Sequence, residues 1–190
     1  MAAKTNHTIK QFLIFSLLGL LPAIGAAQEK KIVSLLNQEL QKEIRRQKKD
    51  PENYIGPFFE VLRNYHIGMS SINVNDIPTD SIIQHSITNN IRTISLIVRK
   101  KISDSDYAIE KQEVPLSKIK AISKDINILL ETEPDAVTVK TTVNGTVTTH
   151  NTDLFFLYLS YNKQNQELAE KLISAFKKAG YILKNEYWYD

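Results

Sequence analysis

The sequence predicts an α+β fold: an antiparallel β meander, or a partly open barrel, of about six strands, closed by a C-terminal helix and preceded by an N-terminal helix. Three observations carry that expectation. Leu154-Phe155-Phe156-Leu157-Tyr158-Leu159 is apolar on both faces of an extended strand, so both sides of its sheet must be covered. Beyond Asn162 the period changes from two to about 3.6, with Leu168, Leu172 and Phe176 in one row and Ala169 and Ile173 in a second. Asn144-Gly145 stands between two alternating segments, where a pair that tolerates positive φ makes a two-residue hairpin turn.

Residues 1–27 are expected to be a secretory signal peptide. Lys4 and Lys10 give a positive start, Phe12 to Ile24 an apolar run, and Gly25-Ala26-Ala27 the small residues for cleavage before Gln28. Gln11 to Ala27 is interrupted by Ser16, Gly19 and Pro22 and reaches at most the roughly 18 to 20 residues of a membrane span, so no stable span is expected after cleavage. Two of the 24 Lys and Arg residues lie there, Lys4 and Lys10, and the remaining 22 face 21 Asp and Glu. A chain so close to neutral has no electrostatic basis for nucleic-acid binding, and Arg45-Arg46-Gln47-Lys48-Lys49 reads as the solvated end of a helix. With no cysteine, an exported chain must rely on burial alone, which suits a bacterial periplasm or the outside of a bacterial cell.

Residues 28–50 form the N-terminal helix, ahead of a single α+β domain at residues 51–190. Ile32, Leu36, Leu40 and Ile44 recur every four residues, Val33 widens the stripe, and Pro51 ends it. Five aliphatics suit a docking face, a dimer seam or a lid equally well. Pro57 opens a short helix bearing Phe58, Val61, Leu62 and Tyr65, favoured over a strand with Phe59, Val61, Arg63, Tyr65 and Ile67 alternating. Residues 73–80 read as a loop and Ser81 to Ile87 as a short apolar segment of either type.

Ile91 to Lys101 alternates with Ile94, Leu96 and Val98 inward, and Asp104-Ser105-Asp106 turns it into Tyr107 to Val114. Pro115 ends that strand, and Leu116, Ile119 and Ile122 suggest one helical turn or a corner before a strand through Ile126, Ile128 and Leu130. Glu133-Pro134-Asp135 then turns the chain. Val137 to Val143 and Thr146 to Asn151 make the Asn-Gly hairpin, with Val143 facing Thr146, Thr141 facing Thr148 and Val139 facing His150. The strand from Leu154 follows at once, and sequential antiparallel pairing is expected. The last helix starts at Asn162 or Asn165 and closes at Gly180, with Lys177 and Lys178 in its last turn and Tyr181 folding back on Phe176. A helix joined so tightly to its strand packs back across the sheet, placing Leu157, Leu159, Leu172 and Phe176 in one core.

Catalytic and metal-binding patterns are absent from the sequence. His66, His85 and His150 have no ligand spacing, and the nearest pair, His150 with Asp153, reads as structural or exposed. The six glycines are scattered singly, which excludes a nucleophile elbow or a phosphate-cradling loop. Glu131, Glu133 and Asp135 read as a solvated acidic turn, not a calcium site, and Asn144-Gly145-Thr146 as a turn, not a glycan acceptor. No enzyme, cofactor or metal is expected. The aromatic tail supplies the candidate site, with Tyr181, Tyr187, Trp188 and Tyr189 as a surface for an unidentified protein, glycan or apolar ligand. The leading expectation is an exported, non-enzymatic binding module, the alternatives being a carrier or sensor of a small apolar ligand and an enzyme with an unrecognised site.

Val114-Pro115-Leu116-Ser117-Lys118-Ile119, the hairpin after it, and the strand Phe155 to Tyr161 running into the helix Gln164 to Ala179 resemble pleckstrin-homology-like domains, particularly small exported bacterial proteins of unknown function. The resemblance implies a strongly bent antiparallel barrel whose open end is plugged by the C-terminal helix. It covers Val114 to Gly180 and departs where the chain continues as Tyr181 to Asp190. A helical Tyr54 to Tyr65 would also leave fewer strands than that fold needs. It carries no catalytic residues.

Overall fold

The computed structural model describes residues 5–69, 91–103, 105–160 and 167–188, with side chains from Ala27 onward. Asn162, Asn165, the loop at 73–80, Ser81 to Ile87 and Tyr189 lie outside the described residues. Helix α1 (Thr5–Lys49) is followed by β1 (Glu60–Met69), β2 (Arg92–Lys101), β3 (Tyr107–Pro115), a single 3-10 turn (Leu116–Lys118), β4 (Ile119–Lys124), β5 (Asn127–Thr132), β6 (Val137–Val143), β7 (Thr146–Thr152), β8 (Leu154–Ser160), α2 (Leu168–Lys178) and β9 (Lys184–Trp188). The class is α+β. Among the described residues the arrangement is two sheets and not a closed barrel or one meander: β1-β2-β3-β6-β7, and β8-β5-β4-β9 with β9 parallel to β4.

Both hairpins of the larger sheet form. Lys101 pairs with Tyr107 at one tip, and Val143–Thr146, Thr141–Thr148 and Val139–His150 pair at the other. Asn144 and Gly145 take φ of 48° and 81°, the left-handed values of the expected turn. The tips lie side by side, for the Asn144 amide donates to Asp106 Oδ1 at 3.3 Å.

Three expectations are corrected. Tyr54 to Tyr65 is not a helix: the chain is irregular before Glu60 and then extended, because Tyr65 and Ile67 alternate into the core. The helical turn expected at Leu116 is present but ends at Lys118, and a strand begins directly at Ile119, with Ile119, Ala121 and Ile122 buried, while Ile126 lies exposed in the bend before β5. Finally, β8 does not pair with β7. It crosses at Asp153 to the other sheet, where Phe155 sits opposite Leu130. The Thr132 N–H and hydroxyl both donate to the Asp153 carbonyl, at 2.9 and 3.0 Å, and fix the corner. The physical reason is the composition of the two strands: β7 is polar and exposed, whereas β8 needs cover on both faces.

One core joins the elements. Ile32, Leu36 and Leu40 of α1, Ile94, Leu96 and Val98 of β2, Leu157 and Leu159 of β8, and Leu172 and Phe176 of α2 are buried in the same cluster. The aliphatic stripe of the first helix is therefore a docking face. Helix α2 runs beside α1 and β9. Its end has the two Schellman bonds, Tyr181 N–H to the Phe176 carbonyl at 2.9 Å and Gly180 N–H to the Lys177 carbonyl at 3.1 Å, with Gly180 at φ 90°.

Side-chain amides seal two sheet edges. On β1, Asn37 accepts from the Tyr65 N–H at 2.9 Å and donates to the Tyr65 carbonyl at 3.1 Å, and Gln47 does the same for Phe59 at 3.0 and 2.8 Å. These amides of α1 stand in for a missing strand. On β8, Gln112 accepts the Phe156 N–H at 2.9 Å, and the Tyr65 hydroxyl donates to the Leu157 carbonyl.

Candidate functional site

Directly after the Schellman ending, the Tyr181 ring meets Phe176 edge-on at 6.3 Å, and its hydroxyl lies 3.5 Å from Glu29 Oε1. Glu29 also receives Arg92 Nε, at 2.9 and 3.2 Å to its two oxygens. Burial first, and then the Glu29 charge, raise the Tyr181 phenol, while the hydrogen bond that Arg92 donates to Glu29 holds the guanidinium above its ordinary value. Tyr181 thus ties α1 to the start of β2 and the end of α2.

Strand β9 then runs parallel along β4, from Lys184 opposite Ala121 to Trp188 opposite Lys124. Tyr181 therefore stands before one end of this ladder and Trp188 at the other, and they do not converge. The Trp188 indole is half-buried with its ring centroid 5.2 Å from the Lys124 ammonium, a cation–π distance. Tyr187 is 43% exposed.

Between these ends lies an open groove of about 470 Å³, lined by Leu116, Ile119, Lys120, Tyr181, Ile182 and Lys184 among others. Leu116 and Ile119 are buried beneath it, Ile182 is 84% exposed, and Lys120, Lys184 and Glu186 bring charge to the rim. The groove suits contact with a partially apolar ligand. Sequence reasoning reached Tyr181 but missed Leu116, Ile119, Lys120 and Ile182 as site residues. Their proximity comes from parallel pairing between strands about sixty residues apart, which no local pattern announces.

A second hollow, about 280 Å³, lies at the C-terminal end of α1 and is lined by Arg46, Lys49, Asp50, Asn53, Tyr54 and Ser160 among others. The basic run beside it is not simply solvated, because Gln47 is turned into β1 and Arg46 reaches Glu43 Oε2 at 3.2 Å. Burial and then the Glu43 carboxylate raise the Tyr54 phenol.

Where the sheets meet, Tyr158 takes φ of 50°, a left-handed value that costs a bulky side chain. Its hydroxyl donates to Glu110 Oε1 at 2.5 Å, and the Lys100 ammonium reaches Glu110 Oε2 at 2.6 Å. Burial and then Glu110 raise the Tyr158 phenol, so it remains a donor through the neutral range. This arrangement locks the sheets together. His66 and His150 are exposed, and no group of three or more metal-ligating side chains is present among the described residues.

The chain matches no protein-family model, no curated protein and no solved structure. Among the described residues, no helix is long and apolar enough to cross a membrane.

Proposed function

We propose that the chain is an exported, non-enzymatic module that binds a partner or ligand at the groove beside its C-terminal tail, in the periplasm or outside a bacterial cell. The observation that carries this reading is Ile182, an aliphatic side chain 84% exposed beside a groove also lined by Tyr181, Lys120 and Lys184. Its surroundings give a ligand apolar area and charged rim groups together. Export rests on the character of residues 1–27, and the likeness of Val114 to Gly180 to pleckstrin-homology-like domains of exported bacterial proteins accords with it.

Native mass spectrometry of the protein recovered from its producing cells tests both parts. Cleavage predicts a mass beginning at Gln28, and detection of Lys4 and Lys10 in the exported protein contradicts it. A retained glycan, lipid or protein should be present on the parent and lost from Ile182→Asp. Equal retention by both proteins, or none by either, contradicts binding at the groove. A retained lipid of fixed mass would select the carrier reading over a partner-binding one.

A further inference from the structure

We infer that β7 is a self-pairing edge through which two copies of this chain join their larger sheets into one antiparallel sheet. Among the described residues the four sheet edges are treated differently. Those of β1 and β8 are interrupted by register shifts and occupied by Asn37, Gln47, Gln112 and Tyr65. β9 is short and carries Lys184 and Glu186. β7 spans Thr-Val-Thr-Thr-His-Asn-Thr without a carboxylate, lysine, arginine, proline or register shift, and is exposed along nearly its whole length. Such features are the opposite of those that protect an edge from pairing.

Its backbone direction follows from the turn. The closing pair of a two-residue hairpin, Val143 and Thr146, is hydrogen-bonded, and bonded pairs alternate from there. Thr146, Thr148, His150 and Thr152 therefore direct their N–H and C=O groups to β6, and Val147, Thr149 and Asn151 direct theirs outward. No described residue pairs with that outer edge. An antiparallel two-fold centred on Thr149 sets it opposite its own copy and Val147 opposite Asn151, so every outward group is matched and the contact is self-complementary.

Charge does not oppose a second copy as the occupant, which the self-matching register favours. The Lys140 side chains flanking Thr149 would stand three strand spacings apart, roughly 14 Å and beyond the Debye length at physiological salt. A foreign peptide adding as a strand takes its specificity from side-chain pockets, and neither hollow described above borders β7. An edge contact of this kind buries little area, so the dimer should be weak and reversible, with Kd of roughly tens to hundreds of micromolar.

Sedimentation equilibrium of the protein as recovered from its producing cells, over about a hundredfold concentration range reaching 1 mM, reads this directly. The mass should rise from one copy to two. Thr149→Pro removes an outward N–H without touching the β6 ladder, and Thr149→Lys sets like charges opposite each other. Each should weaken the dimer at least about tenfold. Mixing Thr149→Lys with Thr149→Asp should restore association. If the proline variant fails to fold by circular dichroism, the Lys and Asp pair carries the test. A parent that stays single throughout, a dimer unaffected by the variants, or a mixture no tighter than its components overturns the inference. A parent that stays single but retains a foreign peptide overturns it as well.

Discussion

Gly145 holds φ of 81° with nothing within 4 Å of the place a β carbon would occupy. A substitution there meets no clash, so its cost is conformational alone. Gly145→Val should lose about 1 to 3 kcal/mol of stability in urea unfolding, and an unchanged midpoint would contradict the left-handed turn. Asp106, at the neighbouring tip, accepts from Ser103 Oγ at 2.9 Å, Ser105 Oγ at 3.2 Å and the Asn144 amide at 3.3 Å, and these bonds lower its pKa below the ordinary 3.8. A depressed carboxylate contributes stability that is present above the ordinary value and is lost as pH falls through the lower folded value. NMR titration should therefore place Asp106 below 3.8, and a value at or above it would remove this tie between the tips. The Asn-Gly turn was legible in the sequence because two adjacent residue types state their backbone preference. The left-handed Tyr158 was not, since tertiary bonds to Glu110 and packing against Phe59 and Phe156 impose it.

Among the elements, α2 was the most legible, its apolar stripe and glycine stop both visible in the chain. Phe176 is buried at 1% exposure beside Leu172, and Phe176→Ala should cost about 3 to 5 kcal/mol. A variant melting within a degree or two of the parent would contradict this core. Strand β1 was misread because helical spacing and alternation overlap in Phe58 to Ile67. What decides between them is remote: Asn37 and Gln47 supply the backbone partners that make an extended edge satisfiable. Removing either amide leaves buried backbone groups unpaired, so Asn37→Ala and Gln47→Ala should each cost about 1 to 3 kcal/mol by chemical denaturation. Losses below a few tenths would mean that water replaces these bonds freely. The β7–β8 junction was misread for a related reason, because sequential pairing is a default that β8's need for cover on both faces overrides.

At the scale of the molecule, the class and most strands could be read from periodicity, whereas the division into two sheets and the C-terminal groove could not. Both depend on long-range partners: β8 with β5 across Asp153, and β9 with β4 in parallel. Helix α1 joins the sheets into one body alongside the Tyr158–Glu110 bond, since it closes the β1 edge with two amides, shares its stripe with the core and lies beside α2. Native-state hydrogen exchange measures this cooperation most directly. The amides of Leu36, Leu40, Phe59 and Tyr65 should open with the same free energy as those of Ile94 and Leu130 in the two sheets, and Asn37→Ala should lower all of them together. Exchange through residues 28–49 that is orders of magnitude faster than in the sheets, with the sheets unaffected by Asn37→Ala, would show instead that the helix is an attachment to a domain that stands without it.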